Sequence, residues 1–241
     1  MASTTAPLSA QTARELLHAH GWIAARNESF RHLPPPALST WLDAAQTNDK
    51  TPSPGNGWTL QPWGTQQPMG EPGAQWLDSQ DSTQRAALFA DLPAPAASDA
   101  APFAWAHRAL CRQGLRIQVA ANGANAAPVR LHIHHTAHTA VDAPLVVLDV
   151  APGARCLLLH THSRSGDPLK ITQNLHLHIR VGEGAVLQHL RIADVRTADH
   201  PPHPQNVDGR GHAHYHPALV AGGFPKHAQR VFRKTKFQRS G

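Results

Sequence analysis

Cysteine, lysine and long apolar runs are all scarce in this chain of 241 residues. The two cysteines, Cys111 and Cys156, form no CxxC pair, so neither a disulfide framework nor a thiolate metal site is indicated. No apolar stretch reaches transmembrane length, and residues 1–25 contain no apolar core typical of a signal peptide. We therefore expect no leader and no membrane partner, and a reducing, cytoplasmic setting.

Acidic residues are missing from the last 16 residues, KHAQRVFRKTKFQRSG, which carry six Lys or Arg. The formal net charge is +6, but the rest of the chain has 16 basic and 16 acidic residues and is neutral. A nucleic-acid-binding domain would carry its basic residues in a patch on the fold. We expect no nucleic-acid partner.

Enzyme motifs are also missing. The sequence has no GxSxG elbow, no GxxxxGK[ST] phosphate loop and no dinucleotide fingerprint following a strand. Cys111 and Cys156 lack a local base, which favours buried, small apolar residues over nucleophiles. We expect that the protein is not an enzyme, and we assign no catalytic, cofactor-binding or metal-ligating residue.

What is present is a repeat with an offset of 31 residues. Pro144–Leu159 reads PLVVLDVAPGARCLLL and Leu175–Leu190 reads LHLHIRVGEGAVLQHL, each an apolar run, a Gly-Ala turn and a second apolar run. One such unit cannot bury its own apolar face, so it must stack on copies of itself. The repeat predicts a strand-based solenoid.

The chain changes character near residue 105, because all six tryptophans and 12 of the 21 prolines lie at or before it. Residues 1–104 are predicted as a helical N-terminal region with a Pro/Gly-rich linker over about 48–73. We expect residues 105–223 to form a partial β-helix core, and residues 224–241 to form a disordered basic tail. The predicted helices are Ser9–His20, Ser82–Ala90 and Phe103–Arg112.

Six strands are predicted in the core, each bounded by turn residues. They are Leu115–Ala120, Val129–His135, Leu145–Val150, Arg155–Thr161, Leu175–Val181 and Val186–Ile192. Their alternation indicates one buried face and one wet face, which fits a parallel β-helix and also an antiparallel barrel or sandwich. The 31-residue repeat favours the β-helix, so the predicted fold class is mainly β.

Nineteen histidines raise the possibility of metal binding, since His-x-His on a strand presents two imidazoles to one side. The HAHYH run is the best single candidate, and a metal-dependent β-barrel of the cupin type would use such a pair. The alternative is that most of these histidines are ordinary polar residues on outward strand positions. The clusters are His132, His134, His135 and His138; His160 and His162; His176 and His178; and His212, His214 and His216.

Several motifs together resemble SufB/SufD-type iron–sulfur cluster assembly proteins, and SufD more closely. Pro102–His135 is similar to the entry into the core of that family, and the two Gly-Ala turns and GHAHYHPALVAGG look like successive rungs. ARNESFRHLPPPAL (Ala25–Leu38) is similar to the family's entry motif, with Phe30 where a Trp is usual. The resemblance covers roughly residues 10–223.

The resemblance implies a helical N-terminal part, a right-handed parallel β-helix and a C-terminal helical domain. It also implies a non-catalytic scaffold of the SUF system that pairs with a SufB-like subunit and a SufC-like ATPase through protein–protein interaction. No cofactor would be stably bound by this chain alone, and an iron–sulfur cluster would be transient in the assembled complex. The family's later rungs and C-terminal domain have no counterpart here, so we expect a truncated member. A cupin-type metalloprotein and a structural solenoid with a partner-binding basic tail stay open as alternatives.

Overall fold

The structure of the protein, a computed structural model, describes most of the residues from 73 to 194 and shorter segments on either side. The described residues are 9–24, 37–39, 57–62, 73–92, 95, 101–121, 127–137, 141–164, 172–173, 175–194, 205–209, 214–222 and 237–238. Three helices lie in this part of the chain: α1 (Ala10–His20), α2 (Ser82–Leu88) and α3 (Ala101–Leu110).

Thirteen strands are described, and they make the protein mainly β. They are β1 (Trp58–Pro62), β2 (Gly73–Asp78), β3 (Gln113–Val119), β4 (Val129–Ala137), β5 (Val141–Asp142), β6 (Leu145–Val150), β7 (Arg155–Arg164), β8 (Thr172–Gln173), β9 (His176–Val181), β10 (Val186–Asp194), β11 (Gln205–Gly209), β12 (His214–Gly222) and β13 (Phe237–Gln238).

The strands form two large mixed sheets and one small one. Sheet A has the order β1-β4-β7-β10-β12 and sheet B the order β13-β11-β9-β6-β3-β2, while β5 and β8 pair by themselves. The edge strand that comes first in the chain, β1 in sheet A and β2 in sheet B, is antiparallel to its neighbour. The other described pairings are parallel. The chain alternates between the sheets, since β3, β6, β9 and β11 belong to sheet B and the strands that follow them belong to sheet A.

The 31-residue repeat of the sequence matches the strand pairing, because residues 31 positions apart lie side by side on neighbouring strands. Val150 of β6 pairs with Val181 of β9, and Arg155 of β7 pairs with Val186 of β10. The turns between these strands also bond to each other, because Gly182 N–H donates to Val150 O at 2.8 Å and Gly153 N–H to Glu183 O at 2.9 Å. Backbone pairing therefore continues around the corner from one sheet to the other.

Both turns have the same conformation. Ala154 N–H donates to Ala151 O, and Ala185 N–H donates to Gly182 O, so each turn closes over four residues. The third residue of each turn, Gly153 or Gly184, has a positive φ of 71° or 65°, as a type II turn requires. Glycine adopts this conformation without the steric cost that a Cβ would bring.

The main core lies between the two sheets. It consists of Trp58, Leu115, Ile117, Val119, Val129, Leu131, Ile133, Val146, Leu148, Val150, Ala154, Cys156, Leu158, Leu175, Leu177, Ile179, Val181, Ala185 and Leu187. Alternate residues of each strand point into this layer. Cys111 and Cys156 are both buried, as the sequence predicts.

The outer face of sheet B is covered by a layer from the N-terminal part of the chain. Leu88 of α2 packs with Leu145 and Val147 of β6, and a Cβ on Gly114 of β3 would lie 2.4 Å from Leu88 Cδ1. Arg116 on this face donates to the carbonyl of Ala87 at 2.7 Å, at the end of α2. Helix α2 therefore sits directly on the sheet.

Helices α1 and α3 pack on each other through a second core beside this layer. Helix α1 begins as the sequence predicts, with the Ser9 hydroxyl accepting from Thr12 N–H at 3.0 Å. It ends at Gly21, which has a φ of 76°.

The six predicted core strands are all present, and each agrees with the observed strand to within a few residues. The antiparallel barrel or sandwich is wrong, because all the described pairings among these six strands are parallel. The linker prediction is wrong for Trp58–Pro62, which forms β1 and pairs with β4. In the tail, Phe237 and Gln238 form β13, paired with β11. Among the described helices, none is long and apolar enough to span a membrane.

Substitution of Gly182 by Ala should cost more stability than substitution of Gly184, two residues away. A Cβ on Gly182 would lie 2.5 Å from Pro152 N and 2.8 Å from Ala151 C in the turn below, which would force the stacked turns apart. We expect a loss of about 2–3 kcal/mol in the free energy of unfolding. Gly184 has no atom within 4 Å of its Cβ position, so Gly184→Ala should cost only the positive-φ strain, about 1 kcal/mol.

Denaturant unfolding of both variants and the parent chain measures this difference. Equal losses for the two variants would show that the turns do not stack as described.

Candidate functional site

The histidine clusters seen in the sequence are distributed over three different surfaces of the fold. His135 and His160 point between the sheets, while His176 and His178 lie on the outer face of sheet B. His132 and His134 lie on the outer face of sheet A, with Thr161 opposite His134. Strand alternation separates residues that are adjacent in sequence, so HIHH does not form one cluster.

Three imidazoles, those of His135, His160 and His189, occupy the layer between the sheets in addition to aliphatic side chains. The ring of His135 lies 4.2 Å from that of Trp58, its partner across β1 and β4. His160 and His189 stack with their ring centroids 5.9 Å apart and their planes at 23°. Burial, with Arg191 nearby, lowers the pKa of His189 to about 3, so that this imidazole is neutral.

His176 and His178 are also buried, which corrects the prediction that sheet B has a wet outer face. The ring of His107 on α3 stacks on His176 at 3.9 Å and donates its Nε2–H to Pro144 O at 2.9 Å. Burial lowers the pKa of both His107 and His178 to about 3, with Arg108 a further cause in each case. These imidazoles act as neutral packing groups between the helix and the sheet.

The helix layer carries two buried arginines, Arg85 and Arg108, which no sequence pattern marks as buried. Arg85 donates to the carbonyl of Arg108 at 2.7 Å, and both guanidinium groups lie against the ring of Phe89, at 4.8 and 5.3 Å from its centroid. Burial and the charge of Arg85 lower the pKa of Arg108 to about 10. Nearby, Arg180 of β9 forms an ion pair with Asp149, the residue opposite it on β6, and its Nη2 lies 2.7 Å from Asp149 Oδ2.

The outer face of sheet A differs from that of sheet B, because no described helix packs on it. We call it face A and define it by the outward residues Thr59, Gln61, Arg130, His132, His134, Thr136, Arg155, Leu157, Leu159, Thr161, Val186, Gln188, Leu190 and Ile192. Its half on β7 and β10 is largely apolar, and Ile192 is 39% exposed. Its half on β1 and β4 carries polar and imidazole groups. Face A is therefore the main candidate for a binding surface.

Two imidazoles on face A converge on one hydroxyl group. His132 Nε2 lies 2.9 Å and His134 Nδ1 2.6 Å from Thr161 Oγ1. The other nitrogen of each ring also has a partner, since His132 Nδ1 lies 3.3 Å from Gln61 Nε2 and His134 Nε2 lies 3.1 Å from Thr136 Oγ1. Five side chains from three strands thus form one hydrogen-bonded chain.

This hydrogen-bonded chain of side chains has a direction, which is set by the Gln61 amide at its start. The Gln61 amide nitrogen can only donate, so His132 Nδ1 accepts and His132 Nε2–H donates to Thr161. Thr161 then donates its single proton to His134 Nδ1, which leaves His134 Nε2–H to donate to Thr136. Only neutral imidazoles satisfy every member, and desolvation together with His134 lowers the pKa of His132.

The remaining predicted histidines are described only in part. His138 and His212 lie outside the described residues, while His162 lies on β7 and His214 and His216 on β12 as backbone positions. Among the described residues, no three His, Cys, Asp or Glu side chains come together as a metal site. Burial raises the pKa of the Cys156 thiol to about 12.

Comparisons of this chain with protein-family models, with curated proteins and with solved structures return no match.

Acid should destabilise the fold in a window set by its buried imidazoles. His107, His178 and His189 stay neutral in the folded protein down to a pH of about 3, but bind protons below about 6.5 when unfolded. The unfolded state therefore binds more protons, and the stability present above pH 6.5 is lost as the pH falls towards 3. Each imidazole should lower the free energy of unfolding by about 1.4 kcal/mol per pH unit in this window.

Unfolding measured between pH 6.5 and 5 tests this dependence. The His189→Gln variant should show a slope shallower than that of the parent chain by up to one bound proton, because it lacks an imidazole that is protonated only on unfolding in this range. An unchanged slope for His189→Gln would mean that His189 also titrates in the folded protein.

The hydrogen-bonded chain on face A predicts specific tautomers. Long-range ¹H–¹⁵N spectra of the histidine rings at pH 7 should show both His132 and His134 neutral with the proton on Nε2. Gln61→Leu removes the donor that sets the direction, and should allow Nδ1–H tautomers to appear at His132. A mixture of tautomers in the parent chain would contradict the directed chain.

Proposed function

We propose that this protein is a non-catalytic, SufD-like scaffold of SUF-type iron–sulfur cluster assembly, with its core strands wound as a right-handed parallel β-helix. It acts in the cytoplasm by binding a SufB-like subunit and a SufC-like ATPase. The iron–sulfur cluster is the cargo of the assembled complex and is not a resident cofactor of this chain.

The observation that carries the proposal is the 31-residue register in which both the strands and the turns of successive repeats pair. A chain that alternates between two parallel sheets at a constant register is the arrangement expected of a solenoid. A second support is the order of elements over Pro102–His135, a helix, a strand that follows a Gly and a strand that follows a Pro. This order resembles the entry into the SufB/SufD core.

Face A supports a role in binding. Its half on β7 and β10 presents half-buried aliphatic side chains in addition to Ile192, and no described helix covers them. A contiguous apolar area rimmed by polar groups is typical of a protein–protein interface. We place the contact with the SufB-like subunit there.

The parallel pairing disfavours the cupin-type alternative, which needs an antiparallel barrel around its metal. The two outward imidazoles His132 and His134 also lie on the opposite side of sheet A from the layer between the sheets. A barrel enzyme would direct its ligands inwards.

Co-expression of the tagged chain with SufB-like and SufC-like proteins tests the proposal. We expect a complex that survives size-exclusion chromatography. Ile192→Asp places a charge on the exposed apolar part of face A, and should weaken binding of the SufB-like subunit at least 10-fold. Gln75→Asp, at an exposed position of β2 on the other sheet, should leave binding unchanged.

A parent chain that binds neither protein would overturn the proposed function. A parent chain that binds while Ile192→Asp binds equally well would instead remove face A from the interface.

A further inference from the structure

We propose that His132 and His134 form a binding site for a divalent transition-metal ion, of the kind exemplified by Zn²⁺ or Co²⁺, on the β4 side of face A. The site is independent of the proposed scaffold function. Nothing in the resemblance to the SufB/SufD family assigns these residues.

The first argument is convergence. His132 Nε2 and His134 Nδ1 both lie within hydrogen-bond distance of the same atom, Thr161 Oγ1. Imidazole nitrogens bind zinc at about 2.0–2.1 Å, so an ion shared by both rings would take the place that the Thr161 hydroxyl group occupies between them. Water would complete the coordination shell.

The second argument is the set of partners on the far nitrogens. A metal-binding imidazole commonly donates its other ring N–H to a nearby acceptor, which fixes the ring and its tautomer. Thr136 Oγ1 already lies 3.1 Å from His134 Nε2. The Gln61 amide lies 3.3 Å from His132 Nδ1 and presents its oxygen as an acceptor after a half-turn about its terminal bond.

The third argument is protonation. A metal ion needs an imidazole lone pair, and only neutral rings provide one. In the hydrogen-bonded chain described above, the lone pair of His134 Nδ1 already faces Thr161. Metal binding requires the His132 proton to move from Nε2 to Nδ1, where the turned Gln61 amide oxygen accepts it. Arg130 occupies the preceding outward position of β4, and its positive charge should keep the affinity moderate.

Zinc titration of the untagged full chain by calorimetry tests the proposal. His132→Gln together with His134→Gln should weaken the tightest site at least 10-fold. The matched control is His18→Gln with His20→Gln, because these exposed residues are also two positions apart but lie on helix α1, where such residues do not face each other. The control should bind as the parent does.

Two further measurements keep the test decisive if the double variant folds poorly. Thr136→Val keeps both imidazoles and should weaken binding about 10-fold through the loss of the tautomer-fixing partner. In ¹H–¹⁵N spectra of the parent chain, Zn²⁺ should shift His132 Nε2 and His134 Nδ1 before any other histidine nitrogen. Earlier shifts at other histidines, or equal losses in the control, would overturn the site.

Discussion

Backbone hydrogen bonds between positions 31 residues apart are the constraint on which the rest of the structure depends. They join β6 to β9 and β7 to β10, and they continue through the turns at Gly153 and Gly182. Because the turns stack, a residue in one repeat lies directly over its counterpart in the next. Aliphatic side chains then line up between the sheets, and the outward positions line up as rows across sheets A and B.

The two outward faces differ because the described helices pack on only one of them. Helix α2 and its neighbours bury the outer face of sheet B, where the imidazoles of His107, His176 and His178 serve as flat groups in a packed layer. Face A has no such cover among the described helices. Its aliphatic half and its hydrogen-bonded imidazole half are therefore placed where a partner or an ion can reach them, and both proposals rest on that asymmetry.

The sequence predicted the core strands well because two local signals agree there, period-two alternation and Gly-containing turns. Strand β1 was missed because Trp58 and Leu60 alternate over only five residues among turn-forming Gly and Pro. The burial of His176 could not be predicted, since it depends on how α3 packs.

The contact of Thr161 with His132 and His134 could not be predicted from the 31-residue repeat either. Ten positions separate Val119 from Val129, but only six separate their partners Val150 and Cys156. The extra length shifts the pairing of β4 with β7 from 31 to 27 residues, which puts Thr161 opposite His134.

The antiparallel strands β1 and β2 give the stack a polarity. Each lies at the same end of its sheet, against β4 or β3, and runs against the direction of the strands that follow. A further parallel repeat could not continue the pattern across this end, and Pro62 in β1 has no N–H to donate to another strand. Lengthening of the stack by further parallel repeats is thus directed to the opposite end, which gives the stack a single direction of growth.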